Sequence, residues 1–125
     1  MKVLRVCRTL PTSNMPGQGL NCFNLTNLSK YDSTILTKQK LSEIKSFKKD
    51  IQVYEMHYKD LAFESEKPSF LKFFYVSLTK IYGELVCLLK IFRILAKEKH
   101  HIIHVHSINY LISGFICKKF FKIPL

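Results

Sequence analysis

The sequence predicts an α/β fold with a doubly wound parallel sheet, and three observations predict it. Short apolar or β-branched runs alternate with helix-like runs along the chain. A glycine turn, Pro16-Gly17-Gln18-Gly19, joins the first strand to the first helix, and a second strand-to-helix junction follows His106. Right-handed crossovers then place both junctions at the carboxyl ends of parallel strands, where such sheets bind ligands.

Val3-Leu4-Arg5-Val6-Cys7 reads as the first strand. The Gly17 and Gly19 turn lets the backbone approach a ligand, and the following helix start offers unpaired N–H groups that favour an anion such as phosphate. The pattern lacks the third glycine and the downstream acid of a dinucleotide fingerprint, so a plain turn also accounts for it. Leu20, Phe23, Leu25, Leu28 and Tyr31 recur at helical spacing, and Ser33-Thr34-Ile35-Leu36-Thr37 reads as a buried strand. Residues 38 to 50 are lysine-rich and read as an exposed connection. Ile51 to Met56 alternates as a third strand near a sheet edge.

Ser65-Glu66-Lys67-Pro68-Ser69 carries helix-start signals ahead of a long helix from Phe70 to about Lys99. On it Lys72, Thr79, Lys80, Gly83, Glu84, Lys90 and Lys97 form a narrow polar stripe, and the remaining circumference is apolar. Core packing, a neighbouring helix, a further part of the protein or a bilayer surface would each cover it. His100 and His101 read as an exposed connection. Ile102-Ile103-His104-Val105-His106-Ser107 reads as a strand, followed by a helix to Phe120 that ends among Lys118, Lys119 and Lys122.

At 125 residues, 47% of them hydrophobic, the chain has the size and composition of one folded domain. The net charge of +11 concentrates at its end: residues 67 to 125 carry ten basic and two acidic groups, interleaved with Phe, Leu and Ile. That interleaving favours an anionic membrane surface over nucleic acid. Cys7, Cys22, Cys87 and Cys117 show no C-x-x-C pair and read as reduced core thiols. They point to no metal site and to a reducing, cytoplasmic compartment. No uncharged run reaches the ~18 residues of a spanning helix, and the N-terminus does not read as a signal peptide.

Met1-Lys2-Val3-Leu4-Arg5-Val6, the Pro16–Gly19 turn, Ile102-Ile103-His104-Val105-His106-Ser107 with its helix, and Lys122-Ile123-Pro124-Leu125 together resemble the N-terminal domain of family 4 glycosyltransferases. The resemblance implies the Rossmann-like, acceptor-side half of a GT-B fold over residues 1–125, with the C-terminal donor-binding domain missing and the last four residues leading into another strand. It implies sugar transfer from a nucleotide-sugar to a glycan or lipid-linked acceptor without a metal cofactor, and inactivity of the chain without a complementary C-terminal half.

By that resemblance Gly17 and Gly19 lie by the donor phosphate and sugar, and His106 lies at the reacting centre. A neutral imidazole there accepts a hydrogen bond from an acceptor hydroxyl. His104, on the same side of the strand, reads as a core histidine. Ser107 and Asn109 offer acceptor contacts or cap the next helix. The competing expectations are a non-catalytic remnant and a basic peripheral module that binds membrane or nucleic acid. A place at the inner face of the membrane suits the first and last readings.

Overall fold

The computed structural model describes residues 1–11, 19–44, 47, 51–59 and 70–125. Its elements run β1 (Lys2–Cys7), α1 (Leu20–Leu28), β2 (Asp32–Thr37), β3 (Gln52–Glu55), α2 (Phe70–Lys97), β4 (Ile102–Val105) and α3 (Leu111–Phe121). Short 3-10 turns lie at Leu41–Glu43 and Ile108–Tyr110. The helix-start signals at residues 65–69 and most of the glycine turn, Gly17 included, fall outside the described residues.

The four strands form one all-parallel sheet in the order β3-β2-β1-β4. This is a mixed α/β architecture compatible with a Rossmann-like fold. The chain steps outward from β1 to β2 to β3, then crosses to the other flank of β1 for β4. The strand order therefore reverses between β1 and β4, and at such a reversal the connections diverge and leave a crevice. β1 and β2 carry burial at nearly every position because both lie inside the sheet with cover on two faces.

Strand alternation sends Leu4, Val6, Leu36 and Ile103 to one face, where they pack with Cys87, Ile91, Ile94 and Cys117 from α2 and α3. The other face carries Cys7 and Ile35 under Cys22 of α1, with Phe23, Ile44 and Phe47 at its margin. The connection after β2 is thus not wholly exposed, since the Phe47 ring packs 4.8 Å from that of Phe23.

Three expectations about the helices change. α1 stops at Leu28, where Ser29 turns extended, so Tyr31 stands outside it. Its buried residues are Cys22 and Thr26, one turn apart, whereas Leu20, Leu25 and Leu28 are exposed. The sheet face beneath is built from Arg5, Cys7 and Ser33, and small side chains fit against it better than leucines.

On α2 the narrow polar stripe turns inward in part. Thr79 and Gly83 are buried in line with Cys87, Ile91 and Ile94, and Leu71, Phe74, Leu78, Ile81, Leu85 and Leu89 point outward. Glu84 explains part of the reversal: its carboxylate accepts from the Ser113 N–H at 2.9 Å and from the Ser113 hydroxyl, while its carbonyl accepts from the same hydroxyl at 2.8 Å. Polar groups satisfied across a helix pair can be buried, and α3 supplies the partner. α3 lies close on β4, for a Cβ at Gly114 would stand 2.6 Å from Val105 Cγ2.

His100 is not exposed. It retains 3% of its accessible surface, donates from Nδ1 to the Glu98 carbonyl at 3.0 Å and accepts at Nε2 from the Thr34 hydroxyl at 3.0 Å. That pairing fits one neutral tautomer, and burial lowers its pKa below the usual histidine value. His101 is exposed and pairs by backbone and ring with Lys2. After α3 the chain returns to β4, where the Pro124 carbonyl accepts from the Ile103 N–H at 2.9 Å.

Candidate functional site

The crevice between β1 and β4 opens as a cleft of about 510 Å³. Cys7, Arg8 and Thr9 enter it from the end of β1, Gly19 and the first turn of α1 from the loop beyond, and His106 and Ser107 from the end of β4. Hydrogen bonds hold the loop roots in place: the Arg8 carbonyl accepts from the Lys38 N–H at 3.3 Å and from the Thr37 hydroxyl at 3.2 Å. The Leu10 N–H donates to Gln39 Oε1 at 2.7 Å. The His106 N–H donates to the Val6 carbonyl at 2.8 Å and fixes the tip of β4 beside β1.

Gly19 is required by shape and by conformation. Its φ of +65° is left-handed, and a Cβ there would stand 2.0 Å from the Thr9 carbonyl oxygen. The residue starts α1, with its carbonyl accepting from the Phe23 N–H at 3.0 Å. It carries no side-chain cap, and the first turn of α1 holds no acidic residue. The N–H groups of Leu20, Asn21 and Cys22 therefore lack both intrahelical partners and a competing carboxylate, and their dipoles favour an anion in the cleft.

His106 faces this helix start from the other wall. Its Nε2 is buried and has no hydrogen-bond partner among the described residues, so the imidazole retains an unused donor or acceptor at the cleft. His104 stacks behind it, ring centroids 4.0 Å apart, and accepts at Nδ1 from the Arg5 guanidinium at 3.0 Å. Burial first, then the neighbouring His106 and Arg5, lower the His104 pKa and favour its neutral form.

Cys7 and Cys22 complete the cluster. They belong to one buried cluster and line the same cleft as His106. The neighbouring Cys7 thiol first, with His106 and Arg5 adding to it, brings the Cys22 thiol down to about 5, while Cys22 and burial push Cys7 well up. The sequence signals for this cluster were present but unread. Arg5 and Cys7 share a strand face by alternation, as do His104 and His106, and Cys22 falls in the first helical turn. Only the register that sets Arg5 opposite His104 joins them.

The structure brings Gly19, His106 and Ser107 to one cleft and leaves Asn109 out of it. Asn109 sits in the 3-10 turn before α3 and lines two grooves on the α2 side, one with Tyr110 and Gly83 and the other with Leu85 and Ile112. Neither Ser107 nor Asn109 caps a helix through its side chain. Ser107 starts the 3-10 turn by its backbone, its carbonyl accepting from the Tyr110 N–H at 3.1 Å, and Tyr110 begins α3 with no side-chain cap. Arg8 borders both the main cleft and the groove beside Tyr110, so it is the cation common to the two.

Among the described residues no group of three or more His, Cys, Asp or Glu side chains is placed to hold a metal ion. No helix among them is long and apolar enough to cross a membrane. The fold and cleft together define a parallel α/β unit with a crevice at its strand-order reversal. Comparison with family models, with curated proteins and with solved structures gives no match for the chain.

Proposed function

We propose that the chain is the acceptor-side, N-terminal unit of a GT-B glycosyltransferase resembling family 4. It would transfer a sugar from a nucleotide-sugar to a glycan or lipid-linked acceptor, with a donor-binding half supplied by a further polypeptide segment. The observation that carries this reading is the single cleft shared by Gly19 and His106 at the carboxyl ends of β1 and β4. The α1 N-terminus and Gly19 would lie against the donor's phosphate side, with Arg8 adding charge. His106 Nε2 would accept the hydrogen bond of the acceptor hydroxyl as that oxygen attacks the anomeric carbon. A cleft needs two walls to exclude water and align reactants, so the chain by itself is expected to be inactive.

The test is sugar transfer from a panel of nucleotide-sugars, assayed with the chain and a donor-binding half together. His106→Ala is expected to lower turnover by on the order of 100-fold or more with an unchanged melting temperature. Transfer that survives His106→Ala undiminished contradicts the assignment.

A second reading concerns where the unit works. Leu71, Phe74, Leu78, Ile81, Leu85 and Leu89 of α2 are all 40% or more exposed. Ile112, Phe115 and Phe120 of α3 are 59% or more exposed, and Lys118, Lys119 and Lys122 lie near them in sequence. An apolar face edged by lysines fits an anionic bilayer surface, where a lipid-linked acceptor resides. Co-sedimentation with vesicles rich in anionic lipid, reduced by Leu85→Glu and by salt, is the expected result. Equal recovery with neutral vesicles or no binding at low salt argues against it.

A further inference from the structure

The main cleft holds a chemistry that sugar transfer does not use. Two cysteines from different elements, Cys7 at the end of β1 and Cys22 in the first turn of α1, line it together with His106 and belong to one buried cluster. Both are buried from bulk solvent, at 2% and 1% exposure, and are reached through the cleft. The titratable and charged groups around Cys22 come from two strands: Arg5 and Cys7 on β1, and His106 just beyond the end of β4 with His104 stacked behind it, whereas the nine residues of α1 carry no charge. Cys22 thus combines a helix N-terminal position with a neighbouring guanidinium, an imidazole and a thiol donor. These are the surroundings that convert a thiol to a nucleophilic thiolate.

We infer that Cys22 is a covalent modification site, a nucleophile toward small soft electrophiles and hydroperoxides that enter the cleft, with Cys7 as its resolving thiol. With a hydroperoxide, the Cys22 thiolate attacks the terminal oxygen of ROOH; an S–O bond forms, the O–O bond breaks and ROH leaves after taking a proton. Cys7 then attacks the Cys22 sulfur as its own proton passes to the departing hydroxide, giving a Cys7–Cys22 disulfide and water. The two thiols lose two electrons, and the peroxide gains them. The disulfide ties the end of β1 to the first turn of α1 and withdraws the thiol contact of His106, so oxidation alters the cleft that the ligand would occupy.

The lowered titration of Cys22, at about 5, supports the same ranking among the four thiols. Cys87 and Cys117 lie in the α2/α3 core, where burial raises both, Cys117 to about 12. The inference stands on the thiol cluster, apart from the glycosyltransferase reading, and a chain that binds no nucleotide-sugar leaves it intact.

The test treats the native full chain with iodoacetamide between about pH 6 and 8 and maps the labelled peptides, then repeats the mapping without reduction after exposure to hydrogen peroxide. Cys22 is expected to label first, with a rate that changes less than about 2-fold across that range, whereas an ordinary thiol changes roughly 100-fold. Peroxide is expected to yield the Cys7–Cys22 disulfide, and Cys7→Ser to stop at a Cys22 sulfenic acid that dimedone traps. First labelling at Cys87 or Cys117, no labelling of the native chain, a roughly 100-fold pH dependence at Cys22, or peroxide products that leave Cys7 unpaired each overturn the inference. Mapping on the unsubstituted chain keeps the result decisive even where Cys7→Ser fails to fold.

Discussion

The two faces of the sheet use the same residue type for opposite ends. On the α1 face, Cys7 and Cys22 sit with Arg5, His104 and His106 and border a cleft, and Cys22 is drawn toward the thiolate. On the α2/α3 face, Cys87 and Cys117 sit among Leu4, Ile91 and Ile103 and are held as thiols by burial. Strand alternation is the cause. Each of β1 and β4 sends successive side chains to opposite faces, so one face of the same few residues packs an apolar core and the other brings titratable groups to a cleft. Stability should therefore be concentrated on one side and reactivity on the other, and substitutions can separate them.

The largest effect is expected from Ile91→Ala, which opens a cavity in the fully buried α2 core and should cost about 2–5 kcal/mol in urea unfolding. Thiol reactivity in the surviving folded population should not change, and a change would show the faces to be coupled. Gly19→Ala should cost roughly 3 kcal/mol, because it adds both a left-handed penalty and a clash with the Thr9 carbonyl. Unlike Ile91→Ala, it should also deform the cleft, measured as a fall in Cys22 labelling by iodoacetamide.

The smallest effect is a pH profile with a loss at each end. His100, His104 and Cys22 have lowered pKa values in the folded chain, so below the unfolded values, about pH 8.5 for the thiol and about 6.5 for the imidazoles, the unfolded chain binds protons that the folded one does not, and stability falls with acid. Cys87 and Cys117 have raised values. Above about pH 8.5 the unfolded thiols ionise while the folded ones stay protonated, so stability falls with alkali. Melting temperature against pH checks both arms, and Cys117→Ala should lessen the alkaline loss, to which Cys87 still contributes, and leave the acid one unchanged.

Much of this fold was legible in the amino-acid sequence, because strand and helix periods are local. The positions of β1, β2, β3, β4 and the long α2 follow from runs such as Ser33–Thr37 and Ile102–Val105, within a few residues of where the structure sets them. Helix orientation was less legible. The inward turn of Thr79 and Gly83 depends on Ser113 of α3 and on Tyr58, whose ring lies 3.0 Å from where a Gly83 Cβ would be, and neither partner is near in sequence. The burial of His100 likewise waits on Thr34, sixty-six positions away. At the cleft, glycine and histidine signalled a loop and a strand tip by type and place. The thiol pair was hidden because buried cysteines look alike in sequence, and only the fold puts Cys22 at one cleft with Cys7 and His106, while cross-strand register sets Arg5 opposite His104 behind them.

The central claim is that the crevice between β1 and β4 receives a phosphate-bearing ligand. Amide and imidazole NMR shifts during titration with nucleoside diphosphate sugars test it most directly. The account predicts that the Gly19 to Cys22 amides and the His106 ring move together and saturate at one concentration, with Ile91 and its core neighbours unmoved. Shifts confined to the opposite rim around Lys30 to Ser33, or a saturating response that bypasses Gly19 and His106, would contradict it.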